Sequence, residues 1–250
     1  MNPGFLCMDI FWNHAKFLNY MFAGNIISGL VYLSPLKTFW RIVKKRSTEN
    51  FSSIPYIITL MNAILWIYYG ITKPDSFLIA TINGFGAAAQ IVYILIFLVF
   101  VSPRMRARTA LLVGLLDVGL AAAAILFTHF MLQGDVRIDV LGFICDCSGM
   151  LAYASPLAAM KTVITTKSVE FMPFLLTFST LLNGGFWTLY ALFAKDFLVG
   201  VPNGIGFLLG IAQLILYGIF HRYRPLKKAT DNLEDGLQND PLIPASDSVS

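Results

Sequence analysis

The sequence has little charge and few of the residues that build enzyme active sites or disulfide frameworks. Only 13% of its 250 residues are charged, whereas 57% are hydrophobic, and the mean hydropathy is +0.70. Three cysteines are too few for a disulfide framework, and His14, His129 and His221 do not form a metal-ligand cluster. A phosphate-binding GxxxxGK[ST] loop and a cysteine–histidine pair are also absent. We therefore expect no catalytic residues, no metal ion and no cofactor.

The sequence instead has seven long apolar runs. A helix of about 20 apolar residues spans the roughly 30 Å hydrocarbon core of a bilayer. The runs predict helices at about 17–37, 53–71, 76–101, 109–129, 138–160, 171–193 and 197–220. The chain is therefore predicted to be an all-α membrane protein that contacts lipid, with no nucleic acid partner.

Six of the seven runs form two sets of three, which resemble each other at an offset near 120 residues. The returning motifs are Tyr32-Leu33-Ser34-Pro35-Leu36 as Tyr153-Ala154-Ser155-Pro156-Leu157, Ser47-Thr48-Glu49 as Ser168-Val169-Glu170, Trp66, Tyr69 and Asp75 as Trp187, Tyr190 and Asp196, and Asn83-Gly84-Phe85-Gly86 as Asn203-Gly204-Ile205-Gly206. The run at 109–129 has no counterpart, which indicates a linker helix. The sequence thus predicts two parallel three-helix repeats joined by one helix, a 3+1+3 arrangement.

The distribution of basic residues predicts the orientation and completes the division of the chain. The connections after the first, third and fifth runs, together with the tail, hold 14 of the 18 Lys and Arg residues. Basic connections stay in the cytosol, so the C-terminus should be cytosolic and the N-terminus lumenal or extracellular. The predicted units are an extracytosolic N-terminus (1–16), the first repeat (17–101), the linker (102–137), the second repeat (138–221) and a disordered cytosolic tail (222–250).

Helical spacing predicts a pocket in the middle of the membrane. Trp66 lies about 16 Å from one side and Asn83 about 12 Å from the other, at a rise of about 1.5 Å per residue. Trp187 and Asn203 converge in the same way. An indole face packs on a sugar ring and an amide matches neighbouring hydroxyls, so these neutral residues suit a neutral, polyhydroxylated solute. In the alternative interpretation the tryptophans are interfacial anchors and the asparagines hold helices together.

Four prolines fall where helices meet the cytosolic side in both sets. The first run is predicted to end at Pro35 and the second to begin at Pro55, and the second set repeats this with Pro156 and Pro173. Proline removes a backbone donor, so it either marks an ordinary helix boundary or lets a helix bend.

These ordered, duplicated motifs resemble the SWEET sugar facilitators of plants, the MtN3/saliva family. The resemblance covers about residues 16–223. It is carried by Ser34-Pro35, Ser47-Thr48-Glu49, Pro55-Tyr56, Leu65-Trp66-Ile67-Tyr68-Tyr69-Gly70, Asn83-Gly84-Phe85-Gly86, Ser168-Val169-Glu170-Phe171-Met172-Pro173 and Val201-Pro202-Asn203-Gly204.

The resemblance implies a bidirectional uniporter that moves glucose, fructose or sucrose down its gradient by alternating access, assembled as a homo-oligomer. It places substrate binding on Trp66, Trp187, Asn83, Asn203, Ser28, Val31, Asn62, Gly149, Ala152 and Asn183. It places a cytosolic gate on Pro35, Pro55, Pro156 and Pro173, and a lumenal gate on Tyr69, Lys73 and Asp196. Many relatives carry serine where Asn62, Gly149 and Asn183 stand here. A lumenal Lys–Asp pair is expected to be exposed and weak, about 0–1 kcal/mol.

Two rival functions and one location follow from the remaining features. Asp117 and Asp146 fall at membrane depth, where an ionisable group is a candidate for function, although structural pairing or protonated packing is the favoured interpretation. A proton-coupled small-solute or amino-acid transporter of the proline–glutamine loop type is the nearer rival, and a seven-helix receptor the more distant one.

The Asp240-Pro241-Leu242-Ile243-Pro244 ending resembles tails of the family's vacuolar branch, so the tonoplast is favoured over the plasma membrane.

Overall fold

The chain folds into a bundle of helices. The computed structural model describes residues 22–49, 51–169, 172 and 174–221, with residues 152 and 155 described by their backbone alone. The helices are α1 (22–33), α2 (Leu36–Lys45), α3 (Ile54–Thr72), α4 (Phe77–Phe100), α5 (Pro103–Leu112), α6 (Ala121–Met131), α7 (Gly134–Met150), α8 (Ala154–Thr166), α9 (Phe174–Ala194) and α10 (Phe197–His221). A π-helical segment, Val113–Leu120, joins α5 to α6, and a 3-10 turn, Leu151–Tyr153, joins α7 to α8.

The described helices reproduce the predicted order of two repeats around a linker. The first repeat is α1 to α4, the linker is α5, the π-helical segment and α6, and the second repeat is α7 to α10. Within these ranges, four stretches are long and apolar enough to cross a membrane: Ile54–Thr72, Phe77–Phe100, Pro103–Met131 and Phe197–His221. The two repeats contact each other through α3 and α7. The predicted N-terminal unit (1–16) and tail (222–250) lie outside the described residues.

A helix that the sequence does not predict, α2, follows the predicted end of the first helix. The prediction of a helix end at Pro35 is confirmed to within two residues: α1 ends at residue 33, Ser34 and Pro35 form a turn, and a separate helix, α2, follows to Lys45. Proline is tolerated in the first turn of a helix because that turn has no use for its amide hydrogen. The basic residues of α2 face outward, while Phe39 and Ile42 are buried. Pro156 lies likewise in the first turn of α8, which extends to Thr166.

The repeated Ser-x-Glu motif has a structural role in the first repeat. Arg46 takes a left-handed conformation that ends α2, and the chain then turns back. Glu49 accepts hydrogen bonds from Lys45 and Arg41 on α2. These two bonds hold the pKa of the Glu49 carboxyl below its usual value. The motif therefore fastens the connection between α2 and α3 to the end of α2.

The linker lies along α3 and exposes most of its apolar surface. The π-helical segment of the linker contacts α3. Only 11% of the most apolar 18-residue stretch of the linker is buried inside the protein. Large outward side chains include Leu111, Leu115, Val118 and Phe127. A surface this apolar is suited to lipid rather than to water.

Candidate functional site

A cavity of about 230 Å³ lies between the two repeats. We call the end of the bundle that holds α2 the basic end, and the end where α3 finishes and α10 begins the far end. Among the described residues that line the cavity none is charged, and both repeats contribute to it. The lining residues are Ser28, Tyr32, Asn62, Trp66, Ile79, Ile82, Asn83, Gly149, Tyr153, Asn183, Trp187, Val199 and Asn203.

The cavity brings together eight of the ten residues to which the sequence assigns substrate binding. Val31 is not among the lining residues, and the side chain of Ala152 lies outside the described part of the chain. Two tyrosines that the sequence analysis did not assign, Tyr32 and Tyr153, line the cavity instead. Each lies four residues after an assigned residue, Ser28 or Gly149, and therefore on the same helical face. A helical interval of four residues after Ser28 and Gly149, instead of the interval of three that gives Val31 and Ala152, identifies these two tyrosines from the sequence.

The two asparagine amides at the centre of the cavity are oriented by their own helices. The Asn83 Nδ2 donates to the Ile79 carbonyl at 2.9 Å, and the Asn203 Nδ2 donates to the Val199 carbonyl at 2.8 Å. These bonds fix which atom of each amide is the oxygen. The Asn83 oxygen accepts from the Tyr32 hydroxyl at 3.2 Å, whereas no described residue donates to the Asn203 oxygen. The cavity thus presents amide oxygens as acceptors to a ligand.

Ser28 connects the two repeats across the cavity. The Trp187 indole nitrogen donates to the Ser28 hydroxyl at 2.9 Å, and that hydroxyl donates to the Asn183 oxygen. Because Ser28 is on α1 and its partners are on α9, the chain of bonds links the first repeat to the second. It also fixes the plane of the Trp187 ring, which is 6% exposed.

The two tryptophans occupy equivalent positions but have different partners. Each packs edge-on against the tyrosine three residues later, with centroids 5.1 Å apart for Trp66 and Tyr69 and 5.4 Å for Trp187 and Tyr190. The Trp66 indole nitrogen has no hydrogen-bond partner among the described residues. Trp66 therefore offers both an aromatic face and a free donor to the cavity.

The Asn62 amide makes hydrogen bonds to the second repeat. Its Nδ2 donates to the Cys145 carbonyl at 3.1 Å and to the Ser148 hydroxyl at 2.7 Å. A Cβ atom at Gly149 would lie 3.4 Å from the same nitrogen. Such a distance is an ordinary van der Waals contact, so Gly149 and the Asn62 amide are neighbours in the cavity wall.

The residues assigned to the lumenal gate meet at the far end. The Tyr69 hydroxyl donates to the Asp196 carboxylate at 3.1 Å, and the Lys73 Nζ lies 2.5 Å from the Asp196 Oδ2. The expectation of an exposed, weak pair is wrong, because the Asp196 side chain is only 1% exposed. The buried carboxylate also accepts the Val199 amide hydrogen in the first turn of α10. The contact therefore joins the end of α3 to the start of α10 at the far end.

The repeats differ at this gate. The sequence paired Asp75 with Asp196, but Ser76 is the residue that immediately precedes α4, as Asp196 immediately precedes α10. The Ser76 hydroxyl makes a hydrogen bond with Tyr190, the counterpart of Tyr69. The gate therefore combines a charged contact on one side of the bundle axis with a neutral contact on the other.

The remaining assigned residues lie away from the cavity. Pro35 and Pro156 lie where the chain enters α2 and α8, Pro55 lies in the first turn of α3, and Pro173 is outside the described residues. Among the described residues, neither carboxyl oxygen of the buried Asp117 has a hydrogen-bond partner, and one oxygen of Asp146 also lacks one. Structural pairing is therefore not seen for these oxygens within the described part of the chain, and protonated packing, the other favoured interpretation, stays a prediction.

Comparison with known proteins identifies the family. The MtN3/saliva family, described as "Sugar efflux transporter for intercellular exchange", matches residues 20–105 and 139–225. The chain belongs to the SWEET, or MtN3/saliva, family. The match covers both repeats and leaves out the linker helix. This is a family of transporters and not of enzymes.

Relatives and a solved structure support the family assignment along most of the chain. The bidirectional sugar transporters SWEET16 and SWEET17 of Arabidopsis thaliana are 47% and 44% identical to it, over 88% of this chain and 95% of each relative. A structure of a eukaryotic SWEET transporter superimposes with a TM-score of 0.81 at 36% identity, covering 84% of this chain and 99% of the other. The fold described above is the SWEET fold.

A close approach of Tyr32 to α4 yields a prediction with a matched control. A Cβ atom at Gly86 would lie 2.4 Å from the Tyr32 ring, whereas one at Gly84 meets nothing within 4 Å. Gly86→Ala should displace the ring from Asn83, lower transport and destabilise the protein by about 1–3 kcal/mol. Gly84→Ala should leave both unchanged or add up to about 1 kcal/mol of helix stability. Transport and melting temperature of the two variants check this, and equal behaviour would contradict it.

Proposed function

We infer that the chain is a sugar transporter that carries sugar in both directions down its concentration gradient. The observation that supports this most directly is the uncharged cavity between the repeats, lined by tryptophan and asparagine from both. Indole faces pack on sugar rings, and amides bond hydroxyls, without attracting an ion. The two relatives above are named as bidirectional sugar transporters.

We propose that transport proceeds by alternating access around this cavity. The Tyr69, Lys73 and Asp196 contact closes the far end, and its release would open the cavity there. At the basic end we propose that the chain bends near Pro35, Pro55, Pro156 and Pro173 to open and close the other exit. The proposed substrate-binding set consists of eight residues that line the cavity, together with Val31 and Ala152. The eight are Trp66, Trp187, Asn83, Asn203, Ser28, Asn62, Gly149 and Asn183.

Counterflow in liposomes tests this function. Vesicles loaded with unlabelled D-glucose, D-fructose or sucrose should take up the same labelled sugar transiently against its gradient. Uptake should be equal with and without a pH gradient, since a uniporter is not coupled to protons. Stimulation by a pH gradient would favour the proton-coupled alternative. Ligand-driven signalling with no sugar flux would favour a receptor.

We propose that the protein resides in the tonoplast, with its N-terminus in the lumen and its C-terminus in the cytosol. The excess of basic residues at one end supports this orientation. A glycosylation sequon appended before Met1 should acquire a glycan, whereas one appended after Ser250 should not. The sequon already in the chain, Asn50-Phe51-Ser52, is predicted to be cytosolic and should remain unmodified. Mass shifts with and without glycosidase check this. A glycan at the C-terminal sequon alone would show the reverse orientation.

The assembly is also a proposal. We propose a homo-oligomer, in agreement with the apolar outer surface of the linker, which a second copy or lipid would cover. The mass of the purified protein in detergent, measured by native mass spectrometry, tests the oligomeric state directly.

A further inference from the structure

A second cavity lies inside the second repeat, toward the basic end. Its volume is about 360 Å³, within the range of small-molecule sites, and it is bounded by the 3-10 turn and α8, by α9 and by α10. It adjoins the central cavity, because Tyr153, Asn183 and Asn203 line both.

Two buried polar side chains face this second cavity. Thr177 is 3% exposed and Gln213 is 8% exposed, and both line it. Within the part of the chain that the structure describes, neither the Thr177 hydroxyl nor the Gln213 amide makes a hydrogen bond. Buried polar groups are normally paired, so these two are available to hydrogen-bond a polar occupant of the cavity.

The first repeat is filled at the equivalent place. The offset between the two repeats is 121 residues for α3 and α9 and 120 residues for α4 and α10. Tyr56 on α3 therefore corresponds to Thr177 on α9, and Tyr93 on α4 corresponds to Gln213 on α10. Phe39 stacks on Tyr93 at 4.5 Å and packs edge-on against Tyr56 at 4.9 Å. These rings close the space that the second repeat leaves open. Replacement of two aromatic rings by shorter polar side chains thus creates a polar cavity on one side of the bundle only.

We propose that the second cavity is a sugar-binding site through which sugar passes between the central cavity and the basic end. Its amide and hydroxyl groups suit the hydroxyls of a neutral sugar, as those of the central cavity do. This inference rests on the proposed sugar transport.

Protection of an introduced cysteine tests the site. Thr177→Cys is placed in a chain carrying Cys7→Ser and Cys147→Ser, with the buried Cys145 retained. Its reaction with methyl methanethiosulfonate is timed with and without D-glucose, D-fructose and sucrose. At least one sugar should slow labelling severalfold. The matched control is Phe178→Cys, one residue further along α9 and 38% exposed, whose labelling should not respond to sugar.

A second background separates the two cavities. Trp66→Ala with Asn83→Ala removes groups that line the central cavity alone. Sugar should still protect the cysteine at residue 177 in this background, although transport is lost. No protection in a chain that performs counterflow would overturn the inference and leave the proposed function intact. Protection that disappears with Trp66 and Asn83 would also overturn it, since the effect would then report the central site.

Two substitutions at Gln213 test whether the site binds sugar or only admits it. Gln213→Leu keeps the volume and removes the amide, so the sugar concentration for half-protection should rise at least severalfold at unchanged melting temperature. Gln213→Tyr supplies the side chain of the first repeat and should lower both protection and transport severalfold. Ile215→Tyr adds the same ring at a position 57% exposed and should do neither. Unchanged half-protection in Gln213→Leu would refute binding.

Discussion

Asp196→Ala is expected to open the far end of the cavity and to impair transport strongly. Removing one partner of a buried ion pair costs about 3–5 kcal/mol when the other charge stays buried. The Lys73 side chain is 25% exposed and can reach water once it is released. We therefore expect the substitution to destabilise the closed form by about half of that free energy. This corresponds to roughly a thirtyfold shift in the ratio of open to closed molecules. A transporter held open at one end cycles slowly.

Accessibility of the cavity from the far end measures this shift. Ile79→Cys places a thiol in the cavity lining, and a membrane-impermeant maleimide added on the N-terminal side should label it much faster in the Asp196→Ala chain. Asp75→Ala, which removes an exposed acid at the same end, is the matched control and should label like the parent. Slow labelling and normal counterflow in Asp196→Ala would show that the pair is not a gate.

The repeat and the central site follow from the sequence because both depend on local geometry. The rise per residue places Trp66 and Asn83 at one depth, whatever the packing around them. A fixed offset between motifs likewise survives any tertiary arrangement. The helix α2, which follows Pro35, is missed because hydropathy identifies only continuous apolar runs. It buries only Phe39 and Ile42, and four of its ten residues are basic, so its composition resembles that of a loop.

Contacts between the repeats and the burial of single groups could not be predicted from the sequence. Ser28 and its partners Asn183 and Trp187 lie more than 150 residues apart, and nothing in their spacing indicates that they meet. The strength of the gate was underestimated for a related reason. Asp196 reads as a polar residue at a helix end, and only the packing of α10 shows that its carboxylate is buried. The solvent exposure of a side chain at a helix end depends on tertiary packing, which its neighbours in the sequence do not show.

The sequence leaves two interpretations of the Asn83 and Asn203 amides, sugar binding and helix packing, and the structure supports a part in packing for Asn83. Its oxygen accepts from Tyr32 on α1, so it links two helices of the first repeat. The Asn203 oxygen has no such donor among the described residues. Asn83→Ala should therefore cost some stability, about 0.5–1.5 kcal/mol for one hydrogen bond. Asn203→Ala should cost less, because its remaining bond is to a carbonyl already inside its own helix.

Removing both amides is expected to abolish sugar uptake almost completely while the bundle stays folded. Each lost hydrogen bond to a buried neutral group weakens binding by about 0.5–1.5 kcal/mol, so the pair should lower affinity roughly 5- to 150-fold. Uptake by a hexose-transport-deficient host measures the effect for Asn83→Ala, Asn203→Ala, Trp187→Ala and the double asparagine variant. Thr81→Ala, which removes an exposed hydroxyl from α4, is the control and should transport normally. Normal uptake in all four variants would reject the binding site, whereas lost uptake together with lost thermal stability would assign the asparagines to packing.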